Sequence, residues 1–381
     1  MRINQLLLLL LAVAVSPPSS RDFVAIAFGT MTAFAIFADS GSSNYILAQG
    51  GQGVSRRAFG IAIRTHLGLG AGGLLLAMLL LISRSQATVS PLLWVTLLAA
   101  GVSQILDSLL RVTRAPMLLA GRDGHYALPE LTLGCAKLVV LGAVYLSGSL
   151  VPLLLLPILS LAAVLVTHRV VISGLATTDS SAPLLGRILR FGAAGAASAC
   201  YSQMPVILAA IYLSLPEAAM LSVAYRVVQP LEVVPMSVST QLLPRVRTHV
   251  RRPSRWWAAF CAYGATAALA VVAFGDVLAA SLGISEWSTT ILAIVAGSLV
   301  VKSGNYALAS ILMGLGGVSR RLLLTACVGL FSVLGLTLAG LAATSAHMAA
   351  VSLASELLLC LGLFVLIRRE GRRGQDPDLV G

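Results

Sequence analysis

Nine ionisable residues lie inside long apolar segments of this chain: Asp39, Arg64, Asp107, Arg111, Lys137, Arg226, Glu232, Lys302 and Glu356. An ionised group at the centre of a membrane-spanning helix costs about 2.5–3.5 kcal/mol on insertion scales, so each should face a partner or water. Five of these nine side chains are basic and four are acidic. Such a set is typical of a polar cavity or an ion pathway in a membrane protein.

The spacing of four of these residues predicts ion pairs. Asp39 and Arg64 are almost equally far from Gly51, the centre of a predicted helical hairpin, so they should lie at one depth on adjacent helices. Asp107 and Arg111 are four residues apart and share one face of a helix. Both arginines also lie near helix ends, where a long basic side chain can reach the lipid headgroups instead.

Three other charged residues, Arg226, Lys302 and Glu356, lie far from the ends of their segments. That depth makes the headgroups hard to reach and favours a water-filled cavity or a substrate role. A proline on each side of Glu232 predicts a bent helix with a partly open backbone. The alternative for that segment is a kink without a functional role.

The chain has no recognisable catalytic motif. The phosphate-binding pattern G-x-x-x-x-G-K-[ST] is absent, and no nucleophile–base pair or metal-ligand spacing can be identified. The five cysteines lie within apolar runs without a C-x-x-C pair, which is typical of buried thiols. We therefore predict no enzymatic activity, no metal and no cofactor. A cationic interior without catalytic groups suits binding and moving an anion, because Lys and Arg hold phosphate well.

The composition identifies the class of protein that must position these residues. Hydrophobic residues make up 58% of the 381 residues and charged residues only 10%, which excludes a soluble enzyme, a disordered protein and a soluble repeat protein. A membrane span needs about 20 apolar residues. We predict an all-α membrane protein with twelve spans, at 3–15, 23–48, 59–82, 91–112, 129–148, 151–172, 189–213, 217–243, 256–281, 287–313, 322–343 and 346–367.

The distribution of basic residues predicts the topology. Of the 26 Lys and Arg residues, only Arg21 and Arg84 fall in outer loops, and five belong to the nine residues named above. If both termini are cytoplasmic, the other 19 lie at the inner side, counting Arg169 and Arg190 at the inner ends of their spans. This bias also accounts for the net charge of +12 without nucleic acid. The basic loop 244–255 is then an anchor for anionic lipids of the inner leaflet.

Reporter fusions test this topology directly. Fusions after residues 54, 180, 250 and 318 should report a cytoplasmic location, because basic loops are retained on that side. Fusions after residues 19, 86 and 284 should report the periplasm. A periplasmic reporter after residue 250 would contradict both the twelve-span topology and the repeat described next.

An internal repeat with an offset of 195 residues divides the chain. Gly121 at one inner turn corresponds to Gly316. Asp107 corresponds to Lys302, so Asp107 and Lys302 should both face the central axis. Repeats with the same polarity are related by an axis along the membrane normal. We therefore predict a pseudo-twofold arrangement of two six-helix bundles, with the boundaries 1–178 and 189–370, a cytoplasmic linker at 179–188 and a disordered tail at 371–381.

The first apolar segment has two interpretations. It is short for a span, and Ala12-Val13-Ala14 is similar to a signal-peptidase site. The repeat instead places the start of the first span upstream of Met1 when the seventh span is projected onto it. We therefore expect a first span that is shortened at its amino end.

Three stretches resemble the bacterial polysaccharide (O-antigen) flippases of the multidrug/oligosaccharidyl-lipid/polysaccharide exporter (MOP) superfamily. The first is SPPSSRDFVAIAFGTMTAFAIFADSGSSNYILAQG, in which Asp39-Ser40-Gly41 approximates the family's Asp-Leu-Gly. The second is LLGRILRFGAAGAASAC. The third is AAMLSVAYRVVQPLEVVPMSVSTQLLPRV, with Tyr225-Arg226 and a closing Leu243-Pro244.

The resemblance implies a flippase that moves a polyprenyl-diphosphate-linked oligosaccharide across the cytoplasmic membrane by alternating access. The basic residues implied to contact the diphosphate or anionic sugars are Arg226, Lys302, Arg64, Arg111 and Lys137. The acidic residues implied to balance charge or couple an ion are Asp39, Asp107, Glu232 and Glu356. Expected partners are the lipid-linked oligosaccharide, membrane lipids, a polysaccharide polymerase and glycosyltransferases, and not nucleic acid. The alternatives are a multidrug antiporter of the same superfamily and a non-transporting scaffold of a polysaccharide assembly complex.

Overall fold

The residues that the computed structural model describes are almost all helical. The structure describes residues 2–37, 41–48, 54–85, 89–120, 123–175, 184–242, 253–282, 287–315, 317–342 and 344–373. The chain divides into two compact units, Met1–Ala199 and Cys200–Gly381, which we call unit 1 and unit 2.

Unit 1 contains seven complete α-helices among its described residues: α1 (Arg2–Val15), α2 (Arg21–Phe37), α3 (Ser42–Ala48), α4 (Arg56–Arg84), α5 (Pro91–Leu119), α6 (Asp123–Ser147) and α7 (Leu156–Ile172). A 3-10 turn, Val151–Leu155, precedes α7. Ser55 and Ser90 cap α4 and α5, because each side chain accepts a hydrogen bond from a backbone N–H of the first turn. Buried Leu9, Ala12 and Val13 pack α1 into this unit.

Helix α8 (Leu184–Tyr212) contains the division between the units. The helices that follow are α9 (Leu215–Val228), α10 (Val233–Leu242), α11 (Pro253–Leu282), α12 (Thr289–Gly314), α13 (Val318–Leu341) and α14 (Ser345–Arg373). The first half of the predicted linker at 179–188 falls outside the described residues, as does most of the predicted tail at 371–381. The domain boundaries therefore stay a prediction.

Eight described helical segments are long and apolar enough to cross a membrane, and they include α4–α7 and α11–α14. Many of their apolar side chains are exposed, with Leu146 85% and Val139 74% exposed. In water such a surface would be unfavourable, whereas lipid tails solvate it. The chain is therefore a multi-pass membrane protein.

Helices α5 and α12 form the centres of the two units. In the most apolar 18-residue stretch of each of these helices 61% is buried, against 22–39% in the other six spans. Both helices carry polar residues along their length, and these side chains need protein partners rather than lipid. Each unit thus surrounds a polar central helix with apolar ones.

The helix positions follow the predicted repeat. Adding 195 to the bounds of α4 and α5 gives 251–279 and 286–314, and the structure has Pro253–Leu282 and Thr289–Gly314 there. The bounds of α6 project to 318–342, and α13 is Val318–Leu341. The same offset therefore holds for three successive spans of each unit.

Two predicted spans are broken in the structure. The segment 23–48 contains α2 and α3, and Gly41 between them has a φ of 70°, which favours glycine. The segment 217–243 contains α9, a 3-10 turn at Gln229–Glu232 and α10. The bend predicted from the prolines around Glu232 is confirmed, because proline cannot donate the helical hydrogen bond.

One loop prediction is wrong. The inner loop expected at 113–128 is helical over most of its length, because α5 continues to Leu119 and α6 begins at Asp123. The polar residues of this stretch suggested a loop. Two of them, Thr113 and Arg114, are buried instead, which the apolar pattern alone did not indicate.

Close packing of α11 on α12 gives a test of this architecture. A Cβ atom at Gly264 would lie 2.7 Å from Val300 Cα and 2.9 Å from the Leu299 carbonyl oxygen. Gly264→Ala should lower the free energy of unfolding by about 1–3 kcal/mol, because backbone cannot move aside cheaply. Gly297→Ala is the matched control, since no atom lies within 4 Å of its Cβ position. Equal melting temperatures of the two variants in detergent would contradict the α11–α12 contact.

Candidate functional site

Unit 1 contains a closed network of four polar side chains. Lys137 Nζ donates to Asp107 Oδ1 and Oδ2 at 2.7 and 2.5 Å, and to Ser103 Oγ at 2.8 Å. Ser160 Oγ donates to Asp107 Oδ1 at 2.9 Å and lies 2.9 Å from Ser103 Oγ. Ser103 and Asp107 are one turn apart on α5, while Lys137 belongs to α6 and Ser160 to α7. The network therefore joins three helices around a buried ion pair.

The predicted pairing of Asp107 with Arg111 is wrong. Asp107 is buried and its partner is Lys137 of the neighbouring helix, whereas Arg111 is exposed. The aspartate side chain is short and stays in the helix interface. The long arginine side chain carries its strongly hydrated charge outward, as the alternative based on helix ends allowed.

A cleft of about 450 Å³, counted with its open part, adjoins this network. Asn4 and Gln5 of α1 line it, together with Gln104, Asp107 and Lys137. Asn4 Nδ2 donates to the Gly134 carbonyl oxygen at 3.2 Å, which fixes α1 against α6. Gln104 Oε1 is buried without a hydrogen-bond partner among the described residues. The cleft thus combines apolar walls with a few buried or half-buried polar groups.

The broken helix of unit 2 carries a second buried ion pair. Lys302 Nζ on α12 donates to Glu232 Oε1 at 2.8 Å, and Tyr306 one turn later donates to Oε2 at 3.2 Å. The side chains of Lys302 and Glu232 are only 14% and 7% exposed. The 3-10 turn is therefore held against α12 by two side chains of that helix. Glu232 is therefore the partner of Lys302, a pairing that the sequence spacing did not predict.

Arg226 lies one turn before the break. It is 3% exposed, and its guanidinium donates to Gln229 Oε1. Gln229 Nε2 in turn donates to Gln203 Oε1 of α8 at 3.4 Å. A buried guanidinium, two amides and the ion pair therefore follow one another around the 3-10 turn, where Pro230 leaves the backbone hydrogen bonding incomplete.

Glu356 lies on α14 and is 4% exposed. Asn305 Nδ2 of α12 donates to its Oε2 and to its backbone carbonyl oxygen, both at 2.9 Å. Asn305 and Lys302 are on the same helix, three residues apart. Helix α12 therefore contacts Glu232 through an ammonium and Glu356 through an amide.

The structure does not test the predicted pair of Asp39 and Arg64. Asp39 lies outside the described residues, so its pairing with Arg64 stays a prediction. Arg64 is exposed on α4. In the described part of the chain, no group of three or more His, Cys, Asp or Glu side chains could hold a metal ion.

The sequence analysis missed Arg114 and His66. Arg114 is buried, forms an ion pair with Glu130, donates to the Tyr126 carbonyl oxygen and stacks on the Tyr126 ring at 4.2 Å. His66 Nε2 lies 2.7 Å from Ser108 Oγ. Arg114 and Glu130 are equally far from Arg122 at the turn, so the depth comparison applied to other pairs would have found this one. No sequence signal marked His66.

Comparison with solved structures identifies the fold. A multidrug resistance MATE family transporter of the MOP superfamily, inward-facing, aligns with 98% of this chain and 96% of its own, at a TM-score of 0.70 and 14% identity. Lipid II flippase MurJ, in an inward closed conformation, aligns with 96% of this chain and 85% of its own, at a TM-score of 0.69 and 12% identity. A MOP superfamily transporter from Pyrococcus furiosus aligns with 98% of this chain and 93% of its own, at a TM-score of 0.62 and 14% identity.

No protein-family model matches the chain, and no curated protein matches it. At 12–14% identity the structural likeness shows the fold alone. The predicted all-α membrane protein with an exporter-type fold is therefore confirmed, and its helices are compatible with about twelve spans. The chain has the fold of MOP superfamily transporters.

Proposed function

We propose that this chain flips polyprenyl-diphosphate-linked oligosaccharide across the cytoplasmic membrane, with both termini in the cytoplasm. The observation that carries the proposal is the arrangement around the 3-10 turn of unit 2. Two cations lie there within predicted spans: Arg226, which is buried, and Lys302, whose side chain is 14% exposed. Such groups are expensive in a membrane and mark substrate pathways.

The chemistry of the two cations suits a diphosphate. Arg226 offers a planar fork that matches two phosphate oxygens, and Lys302 offers a compact charge. Lys302 already contacts Glu232, so an incoming diphosphate would compete with that carboxylate for the ammonium. Exchange of one anion for another leaves the lysine paired throughout, and the displaced Glu232 carboxylate then needs water or a proton to balance its charge.

The broken helix gives this exchange a structural consequence. Lys302 and Tyr306 hold Glu232 and therefore the 3-10 turn against α12. Release of Glu232 would free the turn that joins α9 to α10. We propose that cargo binding loosens this connection and so favours the change between inward and outward access.

We propose Arg64, Arg111 and Lys137 only as secondary contacts of the diphosphate or of anionic sugars. The first two are exposed, and the charge of Lys137 is already balanced by Asp107. No catalytic step is proposed, since flipping needs no bond to be made or broken. The polymerase and the glycosyltransferases stay proposed partners.

Multidrug export is the second candidate. MATE transporters share the fold, and the two ion pairs cancel much of the basic charge inside the units. Glu356 without a cation at its carboxyl would then receive a cationic drug.

Complementation separates the candidates. Expression in a strain that lacks its O-antigen flippase should restore surface polysaccharide and leave drug resistance unchanged. Raised drug resistance without polysaccharide would favour the drug exporter. A folded, membrane-inserted chain that does neither would favour the scaffold.

A further inference from the structure

The cleft of unit 1 contains a buried carboxamide that no protein group satisfies. Gln104 of α5 is 4% exposed, and its Oε1 atom accepts no hydrogen bond among the described residues. Native proteins leave few buried polar atoms without a partner, so each such atom needs an explanation. Gln104 lines the cleft, and its terminal torsion is soft, so rotation can turn its amide atoms toward a bound molecule. The carboxamide is therefore available to bind a ligand.

The cleft wall brings further amides to the same place. Gln104 and Asp107 are three residues apart and share one face of α5. Asn4 and Gln5 line the cleft from α1. Asn4 also donates to the Gly134 carbonyl oxygen of α6, which holds α1 and its amides in place. Three carboxamides from two helices thus line one cleft.

The charged groups of the cleft are already paired with each other. Lys137 donates to both carboxylate oxygens of Asp107 and to Ser103, which uses its three N–H groups. Ser160 donates to Asp107 as well. An ionic ligand would have to break this network, whereas a neutral one would leave it intact. The groups best placed to bind a ligand here are therefore the neutral amides.

Neutral amides beside an apolar wall suit a molecule that carries hydroxyl groups. A carboxamide accepts from an O–H and donates to a hydroxyl oxygen, so it can make two hydrogen bonds to such a ligand. A sugar ring presents C–H groups to apolar side chains and hydroxyls at its rim. The cleft, with its open part, has a volume of about 450 Å³, within the range of about 300–1,000 Å³ that is typical of small-molecule sites.

We infer that the cleft of unit 1 binds a neutral hydroxyl-bearing group, a sugar ring or the glycerol headgroup of a lipid, through Gln104 together with Asn4 and Gln5. Assigning the group to the sugar of the cargo rests on the proposed function, whereas the binding itself does not. The site would then recognise a part of the cargo that carries no charge. Arg226 and Lys302 of unit 2 would recognise the diphosphate instead.

Saturation-transfer NMR with methyl glucoside tests the site in phosphatidylcholine nanodiscs, because this sugar has neither a phosphate nor a lipid tail. Saturation should pass from the wild-type protein to the protons of the sugar ring. Gln104→Leu should lower the affinity roughly tenfold, since the hydrogen bonds of the carboxamide are lost. Its melting temperature should not fall, because the change removes a buried polar atom that has no partner.

Thr132→Val is the matched control for this titration. Thr132 is exposed on α6, outside the cleft, and its hydroxyl donates to the backbone of its own helix. The variant should bind methyl glucoside as the wild type does. No saturation transfer to the sugar in the wild type would overturn the inference, and so would equal affinity in Gln104→Leu and the wild type.

A second variant covers the case in which Gln104→Leu does not fold. Gln5→Leu removes a half-buried amide of α1 and leaves Asn4 in contact with Gly134. Its affinity for methyl glucoside should also fall, because one amide of the cleft is lost. Wild-type affinity in a folded Gln5→Leu variant would overturn the assignment of the site to these amides.

Competition identifies where the hydroxyl groups come from. Phosphatidylglycerol added to the nanodiscs should displace methyl glucoside if the site holds a lipid headgroup. A polyprenyl-diphosphate-linked oligosaccharide should displace it if the site holds the sugar of the cargo. A chain that binds methyl glucoside through Gln104 and flips no cargo would refute the proposed function and uphold this site. A chain that flips cargo and binds no sugar in the cleft would do the reverse.

Discussion

Lys137→Met should destabilise the protein by about 3–5 kcal/mol, because it leaves Asp107 buried without its cation. The ammonium group contacts both carboxylate oxygens and Ser103, so three hydrogen bonds are lost together. The expected readout is a large fall in melting temperature in detergent, or a loss of folded yield. Arg169→Met is the control, since that side chain is exposed at the end of α7.

The double variant Lys137→Met with Asp107→Leu separates pairing from packing. Removing both charges leaves apolar groups of similar size, which is often close to neutral in energy. The double variant should therefore be more stable than Lys137→Met alone. If the two single substitutions and the double one show additive losses, the side chains do not interact.

Arg226→Ala should weaken binding of polyprenyl diphosphate strongly and leave membrane insertion unchanged. A charge-assisted hydrogen bond to phosphate contributes on the order of 1.5–3 kcal/mol. That corresponds to roughly a ten- to a hundredfold loss of affinity. Arg226→Lys should recover part of it, because the charge remains while the bidentate geometry is lost. Native affinity in a well-folded Arg226→Ala variant would remove this residue from the cargo site.

The lysine of the same site needs a different design. Lys302→Gln alone would leave Glu232 buried without its cation, so a loss of function would have two explanations. Lys302→Gln combined with Glu232→Gln preserves neutrality and should fold. Its affinity for the diphosphate should fall by roughly the same factor as that of Arg226→Ala. Full affinity in this double variant would show that Lys302 does not contact the cargo.

Apolar length and the repeat were sufficient to predict where most of the helices lie, whereas the division of two predicted spans into two helices each appears only in the structure. The bend beside Glu232 was also predictable, since proline leaves few other conformations. The end of α5 was not predictable in the same way. Its last turns are polar, and only packing against α6 shows that Arg114 is buried there.

The pairing of charges depended on side-chain direction, which sequence spacing does not contain. Asp107 and Arg111 share a helix face by spacing, yet they point to different surroundings. Lys302 was predicted from its depth to lie in a polar site, and its actual partner comes from a turn 70 residues away.

Flipping measured in reconstituted vesicles tests the proposed function most directly. Vesicles would carry the purified chain and a polyprenyl-diphosphate-linked oligosaccharide, and a membrane-impermeant lectin would report the sugar that reaches the other leaflet. Transfer should exceed that in protein-free vesicles, fall roughly ten- to a hundredfold with Arg226→Ala, and stay unchanged with Arg169→Ala. Transfer no faster than in protein-free vesicles, with the chain folded and inserted, would contradict the account.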